Sequence, residues 1–198
     1  VAPAPTASDG EFLRRAYLDL TGVIPRVSEV REFLADERAD KRERLVTSLL
    51  ADNRRYAEHW LSFWNDALRN DYRGTGYIDG GRKQITNWLY SALLTNKPYN
   101  QFAAELVSGA PGAEGFTKGI VWRGVVNASQ IPPVQAAQNV GQVFLGLNVK
   151  CASCHDSFVN YLKLSDAYAL ATVFSDAPLE IHRCDKPTGQ KSKVAFFF

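Results

Sequence analysis

Gln142-Val143-Phe144-Leu145-Gly146-Leu147-Asn148-Val149-Lys150 runs directly into Cys151-Ala152-Ser153-Cys154-His155. The approach is helical, because Ala137, Val140, Gly141 and Phe144 recur at spacings of three and four between Val134 and Leu147. Beyond the cysteines the same spacing resumes, with Ser165 as a cap and Tyr168, Ala171 and Phe174 on one face. No period-two run of convincing length accompanies these helices. The fold class read from the sequence is therefore all-α, an irregular multi-helix domain with long loops.

The five residues Cys151 to His155 spell C-x-x-C-H, the attachment pattern of a c-type haem. The chemistry sets the spacing. Two thiols three residues apart on one tight turn can each add to a porphyrin vinyl group. The adjacent imidazole then lies under the iron as proximal ligand. Two other readings compete. A redox dithiol asks for a βαβ setting, which the helical surroundings do not offer. A zinc site can be assembled from Cys151, Cys154, His182 and Cys184, although an H-x-C second half matches common zinc spacings poorly.

A covalent haem brings large apolar faces that recruit bulky neighbours. Phe144, Leu147, Tyr161, Leu162, Tyr168 and Phe174 bracket His155 and are the expected packing residues. Arg123 and Arg183 are the expected partners of the propionates. The chain contains no methionine, which excludes the His/Met pair of many electron-transfer cytochromes. His182, in a segment long enough to fold back, is the first choice for the sixth ligand. His59, Cys184 as thiolate, water, or an open position are the alternatives. His59 lies beside Trp60 and also reads as a boundary histidine, or as a distal acid/base above an open iron.

Composition narrows the classes. Net charge is +2, with acids and bases interspersed along 198 residues, so neither nucleic acid nor a membrane surface is the expected partner. No apolar run reaches the length of a membrane span. Val1-Ala2-Pro3-Ala4-Pro5 lacks the basic start and apolar run of a signal peptide, and the chain reads as a mature or excised fragment. Three cysteines, two assigned to haem, argue against a disulfide framework. Covalent haem attachment implies a periplasmic or otherwise exported location.

The rest of the chain punctuates into helices. Ser8 or Asp9 caps one carrying Phe12, Leu13, Ala16, Tyr17 and Leu20, stopped by Gly22. Ser28 starts a second, with Val30, Phe33 and Leu34. Asp40 caps a third with Leu45, Val46, Leu49 and Leu50 inward. Asn53 to Asn70 carries Tyr56, Trp60, Phe63 and Trp64. Asp71 to Gly81 is a glycine-rich loop. Ile85 to Leu93 and Pro98 to Leu106 are helical, and Ser108 to Pro133 is expected to be mostly loop, a candidate to cover a cofactor. The organisation expected is one domain over residues 1–198. Residues 177–198 form a polar tail that ends on Phe196-Phe197-Phe198 and leads into a following domain.

Residues 142–156 resemble the cytochrome-like domain of large exported proteins of planctomycetes, long carried as a family of unknown function. Tyr17-Leu18-Asp19-Leu20-Thr21-Gly22, Tyr56-Ala57-Glu58-His59-Trp60 and Pro98-Tyr99-Asn100-Gln101-Phe102 resemble it as well. The resemblance covers roughly residues 10 to 176. It implies a c-type haem domain flanked by other domains. Many relatives follow the haem histidine with Asp-His-Pro, whereas Asp156 here precedes Ser157-Phe158. The function expected is a mono-haem cytochrome domain passing electrons to or from a redox partner. An open-coordination haem enzyme or small-ligand sensor, and a zinc-stabilised structural module, are the alternatives.

Overall fold

The computed structural model describes residues 5–70, 84–118, 120–121 and 124–195. The chain divides into two compact units, one of Val1–Phe63 with Tyr90–Lys97 and one of Trp64–Leu89 with Pro98–Phe198.

The first unit contains α1 (Asp9–Thr21), α2 (Val27–Ala35), α3 (Lys41–Leu50) and most of α4 (Asn53–Ala67). Helix α1 starts on a capping box. The Ser8 hydroxyl accepts the Glu11 N–H, and the Glu11 carboxylate accepts the Ser8 N–H at 2.9 Å. It stops at Gly22, which adopts φ 70°, a left-handed conformation that costs glycine little. Leu13, Tyr17, Phe33 and Leu49 form the core, with Phe12, Ala16, Leu20, Val30 and Leu45 around it. Leu50, expected inward, is exposed. It sits about 100° around the helix from Leu49, and only one of the two can face the core.

The second unit holds the end of α4, the start of α5 (Thr86–Leu94, whose last five residues belong to the first unit), α6 (Tyr99–Ser108), α7 (Gly115–Lys118), α8 (Pro132–Phe144) and α9 (Leu164–Thr172). Buried Asn70 receives the Ile85 N–H on its side-chain oxygen and donates to Asn65 and Thr86, tying the end of α4 to the start of α5. The glycine-rich loop expected at 71–81 lies outside the described residues. In the 108–133 stretch the structure adds α7 and a 3-10 turn at Ala128–Gln130. Gln135 pins this stretch to α8, exchanging hydrogen bonds with the main chain of Ile120.

The strictly all-α expectation needs one correction. The chain is mostly helical, but β1 (Glu180–Arg183) and β2 (Lys186–Lys191) pair antiparallel. The polar tail is a folded hairpin up to this point. Cys184 and Asp185 form its two-residue turn with φ 46° and 67°, the positive pair of a type I′ turn. Ile181 packs with Leu164 and Tyr168, and Ser192 accepts the Leu179 N–H. Phe196–Phe198 lie outside the described residues. No helix among the described residues is long and apolar enough to cross a membrane.

Candidate functional site

Helix α8 delivers the chain to the cysteines through a tight exit. The N–H groups of Leu145 and Leu147 both bond to the Gly141 carbonyl, at 3.2 and 2.9 Å. A Cβ on Gly141 would meet Val149 Cγ2 at 2.6 Å, so glycine is what permits the exit strand to lie on the helix. Asn148 Oδ1 then accepts the Lys150 N–H at 3.0 Å, an Asx turn that opens the next element.

That element is a 3-10 turn over Cys151–Ser153. The N–H groups of Cys154 and His155 bond to the Cys151 carbonyl at 3.0 and 3.2 Å. In such a turn residues three apart eclipse one another, so Cys151 and Cys154 share a side. The burial pattern fixes which side. Ala152 and Ser153 are buried, while Cys151, Cys154 and His155 are half-exposed. The Ser153 hydroxyl donates to Val149 O and accepts from Gln138 Nε2 at 2.9 Å. Ala152 packs with Val149, Leu162 and Ala167. The small inner residues act as the hinge leaf that turns the three reactive side chains outward, and all three cysteines are free thiols.

His155 is oriented by its own neighbour. Its Nδ1 lies 2.8 Å from Asp156 O, which assigns the N–H to Nδ1 and leaves the Nε2 lone pair bare, the tautomer of a metal-ligating imidazole. Its ring packs against Phe158 in a tilted arrangement, with centroids 4.6 Å apart. Phe158, Val159 and Tyr161 are 87%, 75% and 68% exposed. They are held outward by a loop whose N–H groups are satisfied by Ser157 and Asn160 side chains. Apolar groups this exposed beside outward-facing thiols and an imidazole form a surface suited to a large flat apolar ligand.

The hairpin docks on this turn. The Cys184 N–H donates to Cys154 O at 2.9 Å, and Asp185 Oδ1 accepts the Ala128 N–H at 2.9 Å. Burial raises the Tyr168 phenol above its ordinary pKa, partly offset by the His182 backbone.

The remaining candidates scatter. Leu147 and Leu162 pack in the cluster under the turn. Phe144 meets Phe116 edge-on at 5.7 Å. Phe174 stands beyond the far end of α9, against the cluster of Val134, Ala137, Leu170 and Ala171. Arg183 pairs with Asp156 at 3.8 Å, and Arg123 lies outside the described residues. His182 Nδ1 is 3.0 Å from Glu180 O. His59 belongs to the first unit, against Gly22 and Trp60, in a cleft with Arg26, Glu29, Arg55 and Glu58. Among the described residues no three His, Cys, Asp or Glu side chains converge to hold a metal ion, so the four-ligand zinc reading finds no geometric support. Asp156 and the docking role of Cys184 escaped sequence reasoning. The aspartate beside His155 was the only signal.

The geometry defines a mostly helical protein with an outward-facing C-x-x-C-H turn. The chain belongs to the PSCyt2 family, described as a protein of unknown function (DUF1549), whose model matches residues 1–178. No curated protein and no solved structure matches it.

Proposed function

We propose that this chain is a mono-haem c-type cytochrome domain, acting in electron transfer to or from partner domains in a periplasmic or otherwise exported protein. The observation that carries the reading is the single face shared by Cys151, Cys154 and His155, with Nδ1 of His155 engaged and Nε2 free. The residues present fit the group. Cys151 and Cys154 would hold it by thioethers and His155 would ligate the iron, with Leu147, Leu162 and Tyr168 beneath and Phe158 and Tyr161 at the rim. Haem supplies one-electron chemistry when bound. The family name, PSCyt2, carries the same cytochrome reference. His182 is the proposed sixth ligand, since its strand leads into Cys184, which bonds to Cys154.

Expression with haem-maturation machinery tests this directly. Acid–acetone extraction should leave the colour on the chain, and Cys151→Ala should leave a single thioether. Colour that departs with the solvent rules out covalent attachment. The open-coordination enzyme or sensor takes precedence if the purified protein is high-spin in both oxidation states.

A further inference from the structure

Cys184 is exposed, sits at a left-handed turn position, and is held against the residue that the haem reading needs as a free thiol. Its N–H bonds to Cys154 O at 2.9 Å and its Sγ lies 3.8 Å from the same oxygen. A main-chain hydrogen bond of that length puts the two residues in direct contact, and a disulfide joins residues whose Cα atoms lie about 4.4–6.8 Å apart. Both thiols are free, and Cys154 is half-exposed. The third cysteine is therefore a direct neighbour of Cys154 in the fold, 30 residues away in sequence.

We propose that Cys154 and Cys184 form a reversible disulfide in the haem-free chain, and that this bond gates haem attachment. The inference rests on the cytochrome reading for the gating, not for the bond itself. The oxidant is a small-molecule disulfide of the glutathione class. Cys184 thiolate attacks it, forming a mixed disulfide and releasing one thiol. Cys154 thiolate then attacks the Cys184 sulfur, forming the protein disulfide and releasing the second thiol. Two protein thiols lose two protons and two electrons, and one disulfide is reduced to two thiols. While the bond stands, Cys154 cannot add to a vinyl group, and a thiol reductant must reopen it first.

The test uses the full chain made without maturation machinery and equilibrated in oxidised glutathione. Trypsin releases Cys151–Lys163 and Cys184–Lys191 as separate peptides, and the bond joins them with loss of two hydrogens. The crosslink should persist in Cys151→Ser and vanish in Cys154→Ser. A crosslink confined to Cys151 and Cys154, or one joining two chains through Cys184, overturns the proposal. In the maturation strain, Cys184→Ser should load haem without added reductant, whereas wild type should need it. Equal loading of both without reductant overturns the gating. A correct crosslink with no covalent haem in either protein at any reductant concentration defeats the cytochrome reading and leaves the disulfide standing.

Discussion

Asp156 Oδ1 accepts the Leu164 N–H at 2.9 Å, so the residue after the C-x-x-C-H histidine is also the cap of helix α9. Asp166 completes the start by accepting the Lys163 N–H at 2.9 Å. The two carboxylates satisfy orphan donors and oppose the positive end of the helix dipole. Because Asp156 O also orients His155, one residue ties ring orientation to helix placement.

Replacing Asp156 with Ala should cost about 1 kcal/mol, the usual cost of losing a side-chain cap, while Asp156→Asn should retain most of it. The exposed pair with Arg183 adds little, so Arg183→Ala should leave stability nearly unchanged. Urea unfolding of the three variants decides. An unaltered midpoint for Asp156→Ala would show that the cap is not stabilising.

Gly22 poses two separable constraints. Its φ of 70° costs a non-glycine residue roughly 1–2 kcal/mol. An added Cβ would also meet His59 Cε1 at 2.9 Å and the ring's Nδ1 more closely still. Gly22→Ala should therefore destabilise by more than the backbone cost alone. The double variant Gly22→Ala/His59→Ala should recover the steric part and keep the backbone part. A double-mutant cycle measures the coupling, and strictly additive losses would refute the steric half of the argument.

These examples mark what the sequence made legible. The α1 start was readable to within one residue, Ser8 or Asp9, because a polar cap precedes an apolar face, and Gly22 ends the pattern. The tight turn that carries the two cysteines was readable from their spacing. The hairpin was not. Every residue of β2, from Lys186 to Lys191, is exposed, so no hydrophobic alternation records it. Its turn also uses Cys184-Asp185 in place of the Asn-Gly or Asp-Gly that usually signals a type I′ turn. Arg183 read as a partner for the propionates because Asp156, with which it pairs, is adjacent only after the hairpin folds.

Acid should weaken the first unit through its carboxylates. Hydrogen bonds from Lys41 and Arg42, at 2.6 and 2.7 Å, hold the Asp9 carboxyl below its ordinary range. For Glu29, burial pushes the pKa up, but the Arg26 N–H and Arg55 outweigh it and the net direction is down. A carboxylate with a depressed folded pKa contributes stability that is present above its unfolded value. That contribution is lost as pH falls through the folded one. Stability should therefore drop below about pH 4, and Asp9→Asn should show a smaller drop. Urea midpoints at neutral and acid pH check this, and equal drops in both proteins would remove Asp9 from the account.

The distal side of the proposed haem is the subject of a last prediction. With no methionine in the chain, the haem-loaded protein should lack the near-infrared band of His/Met coordination. Its potential should also fall below that of His/Met cytochromes, because methionine raises E°. His182 Nδ1 faces Glu180 O at 3.0 Å, which leaves Nε2 as the nitrogen available to a metal. His182→Ala should therefore convert a low-spin spectrum to high-spin and leave covalent attachment intact. His59→Ala should act differently. His59 packs on Gly22 and meets Trp60 at 5.2 Å between ring centroids, so its loss should lower stability without changing spin state. A low-spin spectrum that survives His182→Ala and disappears in His59→Ala would reverse the two assignments.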